Sequence, residues 1–183
     1  MAKPKPRCFW CGDDPLYVAY HDDEWGVPAR DDRLLFEQLI LEGAQAGLSW
    51  ITVLKKRDHY RKAFANFDLR KVARFDAKKV DALMENPGVI RHRGKLESVA
   101  LNARAFLAIQ DEHGSFSKWL WAHVDNKPLV RRSRTHQATS PLAEKISKEL
   151  KRRGMKFVGP TIIQAYLQAV GVLDEHLPGC WKG

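Results

Sequence analysis

Phe36-Glu37-Gln38-Leu39-Ile40-Leu41-Glu42-Gly43-Ala44-Gln45-Ala46-Gly47-Leu48-Ser49-Trp50 is the segment around which the rest of the chain is organised. Asp31 and Asp32 can cap a helix that begins just before it. Leu35, Leu39 and Glu42 then follow at i, i+4 and i+7, so they share one helical face. A carboxylate therefore ends an apolar stripe. Burying an ionised carboxylate without partners is costly, so Glu42 needs hydrogen bonds, neutralisation or a function. Gly43 and Gly47 let a backbone approach something closely. Ser49 suits the N-cap of a second helix whose first turn carries Trp50. A buried acid, a glycine-bearing turn and an aromatic plate together make a pocket wall. The plainer alternative is a helix C-terminus with a capped turn and a core tryptophan.

Downstream, Trp50, Val53, Leu54 and Phe64 mark one face of a helix expected from Ser49 to about Phe64. Asp68 and Asp76 each precede a short amphipathic run, which predicts two brief helices. Asn86-Pro87-Gly88 is a turn. Ile90-Arg91-His92-Arg93-Gly94-Lys95 then opens a long helix through Leu96, Val99, Ala103 and Phe106. A basic helix start suits phosphates, because unpaired N–H groups add to the side-chain charge. Arg93 and Lys95 are thus candidate phosphate contacts, and the alternative is a solvated face. Ser115 can cap a helix containing Trp119, Leu120 and Val124, and a loop bearing Arg131, Arg132 and Arg134 follows. Ser140-Pro141 starts a helix that runs to about Arg153, where Gly154 stops it. Pro160 opens the last long helix, through Ala165, Leu167 and Val170. This helix, glycine-bearing hairpin and helix would offer the N–H groups of Gly159, Thr161 and Ile162 to an anion, unless it is an ordinary helical hairpin. Upstream, Asp14-Pro15 begins a short helix or turn with Tyr17 and Tyr20, and residues 21–28 read as a shaped loop. No run alternates convincingly, so the fold class is all-α.

A chain of 183 residues suits one domain, or two closely packed lobes. Its 31 Lys and Arg against 22 Asp and Glu give a formal charge of +9, which points to nucleic acid or another polyanion. No apolar run is long enough to span a membrane. Met1-Ala2-Lys3-Pro4-Lys5-Pro6-Arg7 is basic but lacks the apolar core of a signal peptide, so a cytoplasmic protein is expected. Three cysteines argue against a disulfide framework. Cys8, Cys11 and His21 near one end and His176 and Cys180 near the other are five candidate ligands for a four-coordinate zinc, which would tie the ends together. The alternative is three unrelated cysteines in a reducing cytosol.

With these segments in view, the sequence resembles the bacterial DNA-3-methyladenine glycosylase I family, from Cys8 to Cys180. The resemblance is carried by Asp14-Pro15-Leu16-Tyr17, Tyr20-His21-Asp22, Glu24-Trp25-Gly26-Val27-Pro28, Leu41-Glu42-Gly43, the run from Gln45 to Arg57, Ile90-Arg91-His92-Arg93-Gly94-Lys95 and Lys156-Phe157-Val158-Gly159. It implies a helix-hairpin-helix glycosylase fold over a single catalytic domain, residues 1–183. It also implies excision of 3-methyladenine from alkylated double-stranded DNA, with free base as product. No lysine stands out as a Schiff-base nucleophile, so no strand cleavage is expected, and the protein is expected to be a monomer. One structural zinc would be held by Cys8, His21, His176 and Cys180. Cys11 departs from the family pattern and could compete with Cys8. The base pocket becomes Glu42, Tyr20 and Trp50, with Tyr17 and Trp10 nearby, and Glu42 is the catalytic candidate. Leu48, beside Gly47, resembles the wedge that fills the gap left by a flipped nucleotide, and Gly159 and Thr161 lie at the DNA-binding hairpin. The family lacks the aspartate that related glycosylases place beyond the hairpin. Asp174 and Glu175 lie in that region, but His176 ties them to the zinc site and neither is assigned as catalytic. A zinc-pinned DNA-binding module without catalysis is the rival reading, and it leaves Glu42 on its apolar face unexplained. A metal-dependent hydrolase would need an open zinc position, and four protein ligands leave none.

Overall fold

The computed structural model describes residues 5–183, so the first four residues of the basic N-terminal stretch lie outside the described residues. Its α-helices are α1 (Pro15–Asp23), α2 (Asp32–Gln45), α3 (Trp50–Leu54), α4 (Arg57–Ala63), α5 (Leu69–Val72), α6 (Ala77–Met84), α7 (Arg93–His113), α8 (Phe116–Ala122), α9 (Pro141–Arg152) and α10 (Pro160–Ala169). The caps fall where side-chain chemistry predicts. Asp31, Asp68, Asp76, Ser115 and Ser140 each accept a hydrogen bond from the backbone N–H three residues on. Asp32 does something else. From the first turn of α2 its carboxylate accepts from the N–H groups of Phe116 and Ser117, so it caps α8 from across the core.

Helix α2 is the centre of the molecule. Every residue from Leu35 to Ala44 is buried, so the helix is enclosed on all sides rather than along one stripe. It packs against α3, α7, α8 and α10. The buried apolar side chains form one connected core that extends from Cys8 to Cys180. Among the described residues no helix is long and apolar enough to cross a membrane.

Several expectations are corrected. The helix expected from Ser49 to Phe64 is two helices, α3 and α4, broken at Lys55 and Lys56. Beyond the break, the Arg57 guanidinium grips both oxygens of Glu24, an anchor on a distant segment that periodicity cannot register. The Ser49 hydroxyl meets the Thr52 hydroxyl at 2.7 Å and caps no backbone amide. His21, Asp22 and Asp23 belong to α1 rather than to a loop. Val124 lies beyond the end of α8. The chain is mostly helical but not wholly so. Leu129–Val130 (β1) pairs in parallel with Leu173–Asp174 (β2), Leu129 opposite Leu173. Two-residue strands are too short to show any alternation.

The connection between α9 and α10 is held from three sides. The Asn102 amide of α7 clamps Lys156, donating to its carbonyl and accepting from its N–H, both at 2.9 Å. The Ser147 hydroxyl donates to the Val158 carbonyl at 2.6 Å. On α2, Gly43 lies so close that a Cβ there would be 3.3 Å from the Cβ of Phe157. Gly154 ends α9 with a φ of 88°, a left-handed value that favours glycine.

Candidate functional site

Four separate segments converge on one cavity of about 640 Å³. The 3-10 turn Phe9–Cys11 brings Trp10, α1 brings Tyr17 and Tyr20, the C-terminal turn of α2 brings Glu42, and the start of α3 brings Trp50. All five residues expected in the base pocket therefore share its wall. Their rings are packed together: Tyr20 is 5.3 Å from Trp50, Trp10 is 5.1 Å from Tyr17, and Trp10 is 4.9 Å from Trp25.

Glu42 is 4% exposed, and its Oε2 has no hydrogen-bond partner among the described residues. The contrast on the same helix is Glu37, which is also buried but meets the Arg61 guanidinium at 2.7 Å. Burial without a compensating cation pushes the Glu42 carboxyl up to about 8. The indole N–H groups of Trp10 and Trp50 are likewise buried without partners. The cavity thus combines aromatic walls with one unsatisfied acid, an arrangement suited to a flat, electron-poor ligand.

Sequence reasoning did not place Trp25, Gln45, Arg134, Thr135, His136 or Gln168 in this wall, yet all line it. Gln45 and Trp25 sit inside segments already singled out, so proximity to the motif could have found them. Residues 134–136 carry no local signal. They follow β1, whose pairing with β2 fastens this part of the chain beside the C-terminal segment. His136 stacks on Trp25 at 5.7 Å, and burial holds its imidazole below the ordinary value.

Behind Trp10 and Trp25 lies a second cluster. The ligand atoms of Cys8, His21 and Cys180 all fall within 4.8 Å of one another, and all three residues are buried. The His21 Nδ1 meets the Asp22 carboxylate at 2.8 Å, which leaves Nε2 toward Cys180 Sγ at 3.5 Å. His176 stands beside this trio rather than within it, its ring 5.3 Å from that of His21. Its Nδ1 meets Asp174 at 2.7 Å, and its Nε2 is buried without a partner. Each imidazole is therefore held through Nδ1 by a carboxylate, which is the pattern metal-binding histidines show. The His21 Nε2 also accepts from the Cys8 N–H at 3.4 Å, while the His176 Nε2 is unpartnered. Cys11 is buried too, but its thiol donates to the Cys8 carbonyl at 3.2 Å and lies outside the trio. Burial pushes the Cys8 thiol up to about 12, a cost that a bound cation would remove. Two thiols and two imidazoles fit zinc by donor type.

The residues expected to meet DNA are less uniform. Leu48 is exposed on the turn after α2, next to Gly47 with a φ of 79°. Gly159 is the N-cap of α10, with no side chain capping it and open space where a Cβ would be. Thr161 is exposed beside it. Arg93 is exposed but meets Asp81 at 2.6 Å and Glu97 at 3.6 Å. Lys95 requires a correction. Its ammonium donates to the carbonyls of Ala44 at 2.9 Å and Ala46 at 2.6 Å, so it caps the C-terminus of α2 instead of standing free for a phosphate. The lysine supports the turn that carries Leu48.

Comparison with known proteins agrees with this geometry. The methyladenine glycosylase family matches residues 10–183. The chain is 46% identical over 177 residues to DNA-3-methyladenine glycosylase 1 of Escherichia coli, covering 95% of each chain. It is equally identical to DNA-3-methyladenine glycosylase of Haemophilus influenzae, covering 95% of this chain and 96% of the other. A crystal structure of 3-methyladenine DNA glycosylase I superposes with a TM-score of 0.93 at 46% identity, covering 96% of this chain and 98% of that one. The Staphylococcus aureus 3-methyladenine DNA glycosylase I, solved to explain 3-methyladenine recognition, has a TM-score of 0.92 at 40% identity, with 96% and 95% covered. On match length, identity and shape together, the chain belongs to the methyladenine glycosylase family.

Proposed function

We propose that this chain is a DNA-3-methyladenine glycosylase that hydrolyses the N-glycosidic bond of 3-methyladenine in alkylated duplex DNA. Free base and an abasic site are the products. The observation that carries the reading is Glu42: a buried carboxyl without a partner, in an aromatic cavity, beside Trp50.

The damaged base must leave the stack, which costs a few kcal/mol. Leu48 fills the space it vacates. The connection between α9 and α10 serves as the hairpin of a helix-hairpin-helix motif. Its N–H groups at Gly159 and Thr161 grip phosphates, which sets register without reading sequence. Methylation at N3 leaves the base cationic. Inside the cavity it stacks on Trp50 and Tyr20 and faces Glu42. The cation draws the carboxyl into its ionised form, which accepts a hydrogen bond from the exocyclic amine. Neutral adenine gains less from the same group, so selection follows from charge. The positive ring is also a good leaving group. The bond's electron pair passes to the base, which departs neutral, and water adds to C1′ of the oxocarbenium-like sugar and loses a proton. No lysine lines the cavity among the described residues, which supports hydrolysis without a Schiff base and hence without strand cleavage.

Cys8, His21, His176 and Cys180 would hold one zinc ion, whose contribution is a cross-link between the two ends of the chain rather than chemistry at the base. The reading extends to a cytoplasmic monomer. Its test is incubation with methylated duplex. Release of 3-methyladenine with intact strands is expected, and binding of the duplex without base release would establish the rival DNA-binding module.

A further inference from the structure

One buried charge has no part in the mechanism above. Glu175 is 3% exposed, and a carboxylate so placed is costly unless its oxygens are satisfied. One oxygen accepts from Arg131 at 3.2 Å. The other accepts from the side-chain amide of Gln168 at 2.5 Å. Asp174, not Glu175, holds the imidazole of His176, so the metal cluster does not account for Glu175.

Gln168 is in the last turn of α10, 8% exposed, and lines the cavity. Its backbone is fixed as well, since the Gly26 N–H donates to its carbonyl at 3.0 Å. A glutamine amide has a donor end and an acceptor end. A carboxylate oxygen facing it accepts only, so the NH₂ end belongs on Glu175. The carbonyl oxygen is then left without a side-chain partner among the described residues, on a residue that lines the cavity.

We propose that Gln168 is a specificity-determining residue of the base pocket, an oriented acceptor for the exocyclic amine of the bound base, and that Glu175 is the positioning residue that fixes its orientation. The inference rests on the glycosylase reading. An exocyclic amine has two N–H bonds, and Glu42 and Gln168 are two acceptors for them. Glu42 answers the positive charge of the base. Gln168 answers the donor. An N3-methyl purine with a carbonyl oxygen in place of the amine would set that oxygen against the Gln168 oxygen, and a buried site of this kind rejects the mismatched analogue strongly.

The experiment uses the full chain as wild type, Gln168→Met, Glu175→Gln and the double variant. Fluorescence titration gives the affinity for 3-methyladenine and for the corresponding N3-methyl purine with a carbonyl in place of the amine. Single-turnover release from methylated duplex, melting temperature and zinc content are followed in parallel. Gln168→Met should reduce discrimination between the two bases by about tenfold, the worth of one buried hydrogen bond. Glu175→Gln should reduce it by less, because the Gln168 amide is then free to turn. In the Gln168→Met background, Glu175→Gln should change discrimination no further, since a group acting only through another shows complete coupling in a double-mutant cycle. Wild-type discrimination in Gln168→Met would overturn the proposal, and that variant decides alone if Glu175→Gln does not fold. An undiminished effect of Glu175→Gln in the double variant would overturn the positioning role. Failure of the wild type itself to release 3-methyladenine would instead refute the glycosylase reading.

Discussion

Two groups of buried polar atoms lie on either side of Trp10 and Trp25, and they are built on opposite plans. In the chain-end cluster the outward nitrogens of His21 and His176 are held by Asp22 and Asp174, and Cys8 Sγ accepts from the Leu177 N–H. In the cavity Glu42, Trp10 and Trp50 each leave a buried atom unpaired. Burial is similar on the two sides. His176 Nε2 is unpaired as well, so the difference is that each imidazole of the cluster is oriented from behind by a carboxylate, whereas Glu42 has no hydrogen-bond partner among the described residues. The first plan invests polar groups in the fold. The second holds them at the fold's expense, for use in binding.

The largest test of this contrast is to cut the cluster. His176→Ala or Cys180→Ser should abolish folded protein, followed by circular dichroism and by loss of one zinc per chain. A structural zinc contributes on the order of 10 kcal/mol, comparable with the whole stability of a domain. A metal-free preparation with native fold and full activity would break the comparison at this end.

Glu42→Gln should do the reverse: keep the fold and lose chemistry. The variant is nearly isosteric and removes a group that is hard to bury ionised. Loss of a charge-assisted hydrogen bond costs about 1.5–3 kcal/mol. Single-turnover release of 3-methyladenine should slow by roughly ten- to a hundredfold if all of that appears in the transition state. Trp50→Ala should weaken base binding without changing the preference for cationic over neutral bases. Wild-type excision by Glu42→Gln would return Glu42 to a purely structural role.

The pH dependence of stability sharpens the same point with a smaller effect. In the folded protein the Glu42 carboxyl is pushed from an ordinary 4.5 up to about 8. Its neutral form therefore contributes stability that is fully present below 4.5 and lost as the pH rises through 8. The melting temperature of the wild type relative to Glu42→Gln should fall across that window and level off above it. A constant difference would mean that Glu42 is partnered in the folded protein. The smallest effect is expected from Cys11→Ser, which should keep both zinc and fold, because that thiol bonds a carbonyl outside the trio. Loss of the metal there would replace Cys8 as a ligand.

Much of this was readable from local sequence. Capping acids and serines announce helix starts because their partners lie three residues away. Glu42 was placed on a buried face by its spacing from Leu35 and Leu39. It is buried and lines the cavity, but every residue from Leu35 to Ala44 is buried too, so the stripe alone did not single it out. What local reading could not reach depends on distant partners. Lys95 looks like a phosphate ligand until Ala44 and Ala46 are seen to occupy it. The break at Lys55 brings the chain to an anchor on Glu24, thirty-three positions back from Arg57. His136 and Gln168 enter the cavity through a strand pairing too short to predict and a carboxylate seven residues away. Composition reports a formal +9 but not where the cations are free, and at the start of α7 they are engaged by Asp81, Glu97 and backbone carbonyls.

Gly43 gives the molecule a gauge. It is the neighbour of Glu42 in sequence and presses on Phe157 of the α9–α10 connection, with room for a Cβ only at 3.3 Å. The carboxyl proposed to face the base and the connection proposed to grip the DNA backbone are therefore set at a fixed interval, like the jaws of a calliper closed on one glycine. An added methyl at that point would widen the interval by a few tenths of an ångström. Neither jaw would change shape, yet a nucleotide seated correctly in one would arrive slightly short of the other. On the proposed reading, the precision with which a damaged base is measured against its own phosphate is thus stored in Gly43, between the two.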